Sequence, residues 1–143
     1  MEKLKFAALS RMLGNEGENL LFKKKCLFDR VFNYWSSSRV LNNQITFEFT
    51  NNELEIVIPQ CAFRCFSESR IKFINAKPIC EITFYSNKNE QNTAFVVFNL
   101  DKDNVLTIPD LTDGPEIDLD YAENIENHFM DELAQAASRA NLL

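Results

Sequence analysis

Cys61 and Cys65 stand four residues apart, a spacing that would place two metal ligands on one face of a helix. The surrounding run, CAFRCF, reads instead as a strand, in which the two α-carbons lie about 13 Å apart at ~3.3 Å per residue. Two thiolates bound at ~2.3 Å to one zinc must sit much closer, so the strand reading removes this pair as a chelate. The four cysteines, Cys26, Cys61, Cys65 and Cys80, are assigned to packing as reduced thiols, since cysteine is among the most frequently buried residue types.

His128 is the only histidine, which excludes any mechanism that needs two imidazoles. On a helix it precedes Glu132 by one turn and Asp131 by three residues, within reach of an acidic partner. No Ser or Cys is tied to it by a nucleophile motif, and it is read as the polar flank of a docked helix. Glu48 and Glu55 face each other if the runs around them form a hairpin. Paired carboxylates do acid–base work only in a cleft with unequal environments, so an exposed sheet face with Arg64 or Lys72 nearby is the simpler expectation.

"DKDN" at 101–104 and "DLTDGPEIDLD" at 110–120 resemble calcium loops in composition alone. An EF-hand needs Gly at its sixth position and Glu at its twelfth; counting from Asp101 gives Leu106 and Thr112, and from Asp110 gives Pro115 and Tyr121. "FKKKCLF" at 22–28 mixes lysines with aromatics, but the net charge of −6 opposes a polyanion, and a solvated basic turn is expected there. With three glycines in the chain there is no phosphate-binding loop. No cofactor, metal or nucleic-acid partner is expected.

Charge itself is the strongest signal. Residues 1–100 carry 13 Lys or Arg against 10 Asp or Glu, whereas residues 101–143 carry 2 against 11. Nine acidic residues and no Lys or Arg lie between 110 and 135. A helix dipole favours carboxylates near a helix start, each by ~0.3–1 kcal/mol, but that does not account for Asp110, Asp113, Asp131 or Glu132. The expectation is that Asp113, Glu116, Asp118, Asp120, Glu123 and Asp131 present a negative surface to a basic partner.

The elements that position these groups follow from periodicity. Residues 3–13 form a short helix, broken by "GNEG" at 14–17, and a second helix capped by Asn19 buries Leu21, Phe28, Val31, Phe32 and Trp35. From residue 44 the period changes to two. "QITFEFTNNELEIVIP" forms a hairpin turning at Asn51-Asn52, with Phe49 opposite Leu54, Phe47 opposite Ile56 and Ile45 opposite Ile58. Further strands are expected at 61–66, 71–75, 79–85, 93–100 and 105–109. A last helix starts near Asp120, which with Glu123 has capping-box spacing, and docks through Ala122, Ile125, Phe129, Leu133, Ala136, Ala140 and Leu143.

The expected fold is therefore a single α+β domain over residues 1–143: N-terminal helices, an antiparallel meander of six or seven strands, and a C-terminal amphipathic helix packed on the sheet. Thirteen of seventeen aromatics are Phe, which suits a core better than a stacking platform. No run approaches the ~18–20 apolar residues that span a bilayer, and no targeting segment is visible, so a cytoplasmic protein without a membrane partner is expected. The expected function is non-enzymatic protein binding, as in a small bacterial immunity or antitoxin protein that neutralises a basic nuclease-type toxin. A chaperone or adaptor for a basic client is the alternative within that class. A ligand-binding domain or minimal enzyme with a pocket lined by Phe63, Phe84 and Phe95 is another, and a homodimer joined through a sheet face bearing Val57 and Ile74 is the third.

Overall fold

The computed structural model describes residues 5–88, 90–111, 114, 116–120 and 124–143. Seven strands, β1 (Thr46–Thr50), β2 (Glu53–Ile58), β3 (Phe63–Ile74), β4 (Lys77–Lys88), β5 (Gln91–Leu100), β6 (Val105–Thr107) and β7 (Ile117–Asp118), form one sheet. Each lies antiparallel beside its neighbour in sequence, so the order is a plain meander. Among the described residues three α-helices, α1 (Phe6–Met12), α2 (Glu18–Ser37) and α3 (Ile125–Arg139), join the sheet in an α+β fold.

The hairpin forms in the expected register, with Phe47 opposite Ile56, Glu48 opposite Glu55 and Phe49 opposite Leu54. Asn51 and Asn52 adopt φ of 54° and 62°, the left-handed pair that a two-residue turn matched to strand twist requires. Ile45 stands just outside the ladder. The two strands expected at 61–66 and 71–75 are instead one twelve-residue strand, β3, paired with β4 along most of its length. The unforeseen strand is β7, whose Ile117 pairs with Leu106.

At the N-terminus the chain does not break. Leu13–Gly17 is a π-helical turn that runs straight into α2, and neither Gly14 nor Gly17 has positive φ. Gly17 is buried; a Cβ there would meet the Leu13 side chain of the same turn at 3.3 Å and Ile71 of β3 at an ordinary contact distance of 3.6 Å. Asn19 accordingly caps nothing. The buried stripe of α2 is Leu20, Lys24, Leu27, Phe28, Val31 and Trp35, with Leu21 turned outward and Phe32 half-buried.

Helices α2 and α3 cover one face of the sheet, where Leu54, Ile56, Ile82, Phe84 and Phe98 meet them. Phe129 is the hub: its ring lies 4.9 Å from that of Phe98, 6.0 Å from Phe84, and 6.2 Å from both Phe28 and Trp35. The Trp35 indole N–H donates to the Glu126 carbonyl at 3.2 Å, so the one polar handle in the cluster is satisfied. The opposite face carries charged side chains and no helix among the described residues, which is how the alternation of the strands assigns it.

Candidate functional site

The acidic segment does not form one helical face. Helix α3 begins at Ile125, after Asn124 in the left-handed region at φ 55°, so Asp120 is not a helix cap. The cause is β7, which draws the chain into the sheet as far as Asp118 and leaves Asp120 in the turn that follows. Asp113, Ala122 and Glu123, three of the positions expected to matter for charge or docking, lie outside the described residues.

Asp118 organises backbone, and Asp120 ties the Asn104 side chain to the turn after β7. The Asp118 carboxylate accepts the Asp120 N–H at 3.0 Å, and the Asp120 carboxylate accepts the Asn104 amide at 3.0 Å. Asp101 does the same for the preceding turn, accepting the N–H groups of Asp103 at 2.9 Å and Val105 at 3.0 Å. Asp101 and Asp118 thus form Asx turns, and no group of three potential metal ligands converges among the described residues. Glu116 and Asp131 are exposed, and Asp131 sits on the outward side of α3, two residues past the buried Phe129.

Ion pairing does not follow the division between this segment and the body: Glu126 of the segment is paired, while Glu48 and Glu68 of the body have no cation among the described residues. Glu53, Glu55, Glu81 and Glu126 are each ion-paired, to Lys24, Arg64, Arg70 with Lys72, and Arg30. Burial alone would raise the Glu81 carboxyl, yet the hydrogen bonds and charges of Arg70 and Lys72 outweigh it and hold that group below the ordinary carboxylate range. Glu126 is likewise lowered: burial opposes, while a bond to its own backbone N–H and the Arg30 guanidinium prevail. Among the described residues Glu116, Asp118, Asp120 and Asp131 have no such cation.

The remaining candidates separate. His128 is exposed and pairs with neither Asp131 nor Glu132 among the described residues. Cys61 ends a 3-10 turn before β3 and is exposed, while Cys65 is buried in the strand. Burial pushes the Cys65 thiol up to about 12 and the Cys80 thiol up to about 11, so both stay protonated at neutral pH. Glu48 and Glu55 do face each other, and Arg64 relieves Glu55 at 2.9 Å. Val57 and Ile74 share the bare face, but Val57 pairs with Arg64, ten residues before Ile74 on β3. At ~3.3 Å per residue they are about 33 Å apart and form no single patch.

The three lysines lie on α2, as the expected second helix has them, but Lys24 is not solvated: it is only 5% exposed. Its ammonium lies 3.3 Å from Glu53 and 5.5 Å from the centre of the Phe28 ring. The same Glu53 oxygen accepts the hydroxyls of Ser67 and Ser69, both at 2.9 Å. The Ser67 oxygen in turn accepts the Leu54 N–H at 2.9 Å, in place of a strand partner's carbonyl. This cluster sits where the short β1–β2 hairpin stops beside the longer β3–β4 hairpin, and it seals that notch from within. Outside lies a cleft of about 430 Å³ lined by Asn51, Glu53, Glu55, Arg64, Phe66 and Glu68 among others.

The Phe-lined pocket divides in the same way. Phe84 is fully buried in the core. Phe63 and Phe95 pack edge to face at 6.2 Å and line, with Ile56, Leu133, Ala134 and Ala137, a wholly apolar cleft of about 80 Å³. Small-molecule sites run from roughly 300 to 1,000 Å³, so this cleft holds no more than a fragment of such a ligand. No helix of the described residues is long and apolar enough to cross a membrane. No protein-family model matches the chain, and neither the curated proteins nor the solved structures include one that is similar to it.

Proposed function

We propose that this protein is a non-enzymatic binding module of the cytoplasm whose acidic C-terminal third receives a basic protein. The observation that carries the reading is the concentration of acid: nine Asp or Glu and no Lys or Arg lie between 110 and 135, and of these Glu116, Asp118, Asp120 and Asp131 hold no cation among the described residues. Uncompensated like charges cost the fold repulsion that screening over ~8 Å only weakens, and a cationic partner removes that cost on binding. Such a field also speeds encounter and rejects acidic competitors. An immunity or antitoxin protein facing a nuclease-type toxin has this requirement, as does a chaperone or adaptor of a basic client.

The cleanest test reverses the two members that do no structural work, Glu116→Lys with Asp131→Lys, because Asp118 and Asp120 hold their own turn. Melting temperature should stay nearly unchanged. Capture of the partner from the native source, identified by mass spectrometry, should fall about tenfold or more at low salt, with the difference shrinking as salt is added. Equal capture by the reversed protein at low salt would refute the reading.

A further inference from the structure

The notch beside β3 is one cation short. Of the three carboxylates that line it, Glu53 is balanced by Lys24 and Glu55 by Arg64. Glu68 is exposed and has no ion-pair partner among the described residues. It lies two residues along β3 from Phe66 on the same face, about 6.6 Å away at ~3.3 Å per residue. The Phe66 ring, part of the cleft wall, is backed by Tyr85, with centroids 5.6 Å apart and planes at 22°. Behind both stands the buried Lys24–Glu53 pair, a feature seldom kept for stability, since apolar side chains of equal volume do as well or better. What the pair does is fix Glu53 and the end of the β2 ladder, giving the cleft a rigid wall. Its volume of about 430 Å³ falls within the range of small-molecule sites.

We propose that this notch binds a guanidinium group, which lies against the Phe66 ring and donates to the Glu68 carboxylate. A guanidinium is planar, weakly hydrated and able both to stack on an aromatic ring and to bond a carboxylate in paired fashion, whereas an ammonium is a compact, strongly hydrated point charge. One row away on the same face a guanidinium already bonds a carboxylate, Arg64 donating to Glu55. The inference does not rest on the acidic C-terminal segment, which follows β6, at the opposite end of the strand order from the β1–β2 hairpin.

The test is an NMR titration of isotope-labelled protein with two probes, N-acetylarginine amide and butylguanidinium. Amide shifts are expected at Asn51, Phe66 and Glu68 with a dissociation constant of about a millimolar, the strength of one charge-assisted contact with stacking. Shifts from both probes assign recognition to the guanidinium alone, and shifts from the first only assign it to an arginine carried on a peptide. Glu68→Gln, an exposed substitution that leaves the melting temperature unchanged, should weaken binding about tenfold. The Glu116→Lys, Asp131→Lys protein should bind as the parent does, so this result and the partner-capture result are independent. Absence of notch shifts with both probes, or unaltered binding by Glu68→Gln, overturns the proposal.

Discussion

Removing the Lys24 ammonium while leaving Glu53 in place strands a carboxylate at the edge of the core. Breaking a buried pair from one side costs ~3–5 kcal/mol, and because Glu53 keeps 26% of its side chain exposed, Lys24→Met should cost about 3 kcal/mol in urea unfolding. Lys24→Met combined with Glu53→Leu should recover most of that loss, since no lone charge remains, although Ser67 and Ser69 then bond to water. A double variant as unstable as the single one would show that the pair acts through something other than charge. The sequence held a clue to this residue. Lys24 is four residues after Leu20 and four before Phe28, so it occupies a stripe position; its charge, together with the flanking Lys23 and Lys25, made a solvated turn the more natural reading. Lys23 also departs from that reading, donating to the Lys102 carbonyl. Nothing in the sequence places Ser67, Ser69 and Glu53 together, because they meet only across two strands.

Local chemistry decides more at the level of elements. The Asn51-Asn52 turn follows from alternation on both sides and from the tolerance of Asn for the left-handed region, and it sets the hairpin register. Asn52, at φ 62°, is suited to glycine. Asn52→Gly should stabilise by about 0.5 kcal/mol and Asn52→Val should destabilise by about 1–2 kcal/mol, the penalty of a β-branched residue in left-handed backbone; thermal unfolding of both variants measures it, and equal midpoints would contradict the turn geometry. Where expectation and structure part, the reason is a contact made far along the chain. "SESR" at 67–70 reads as a polar break, yet it continues β3: Glu68 and Arg70 face solvent on the bare side, and Ser67 and Ser69 are satisfied by Glu53. "GNEG" reads as a stop, yet neither glycine takes the left-handed backbone that would end the helix, and the turn runs on as a π-helical one. Asp120, left in the turn that follows the pairing of Ile117 with Leu106, does not cap α3, which begins at Ile125.

For the molecule as a whole, charge balance governs how stability depends on pH. Glu81 and Glu126 are held below the ordinary carboxylate value of 4.5, so the unfolded chain takes up protons first as acid is added. Their contribution is complete above pH 4.5 and is lost as the pH falls through their lower folded values. Urea midpoints should therefore fall below pH 4.5, and Glu81→Gln with Glu126→Gln should flatten that fall, whereas Glu116→Gln with Asp131→Gln should not; an unchanged slope in the first pair would disprove the assignment. By itself the sequence determined the α+β class, the meander, the hairpin register, the phenylalanine-rich interior and the concentration of acid near the end, all of which follow from short-range periodicity and composition. Only the tertiary structure decided which carboxylates meet cations, that Lys24 is enclosed, and that the acidic segment divides between a turn after β7 and the outer side of α3. Ion pairs and enclosure are set by distances between packed elements whose residues lie up to 96 positions apart, as with Arg30 on α2 and Glu126 on α3, and no local pattern encodes those distances.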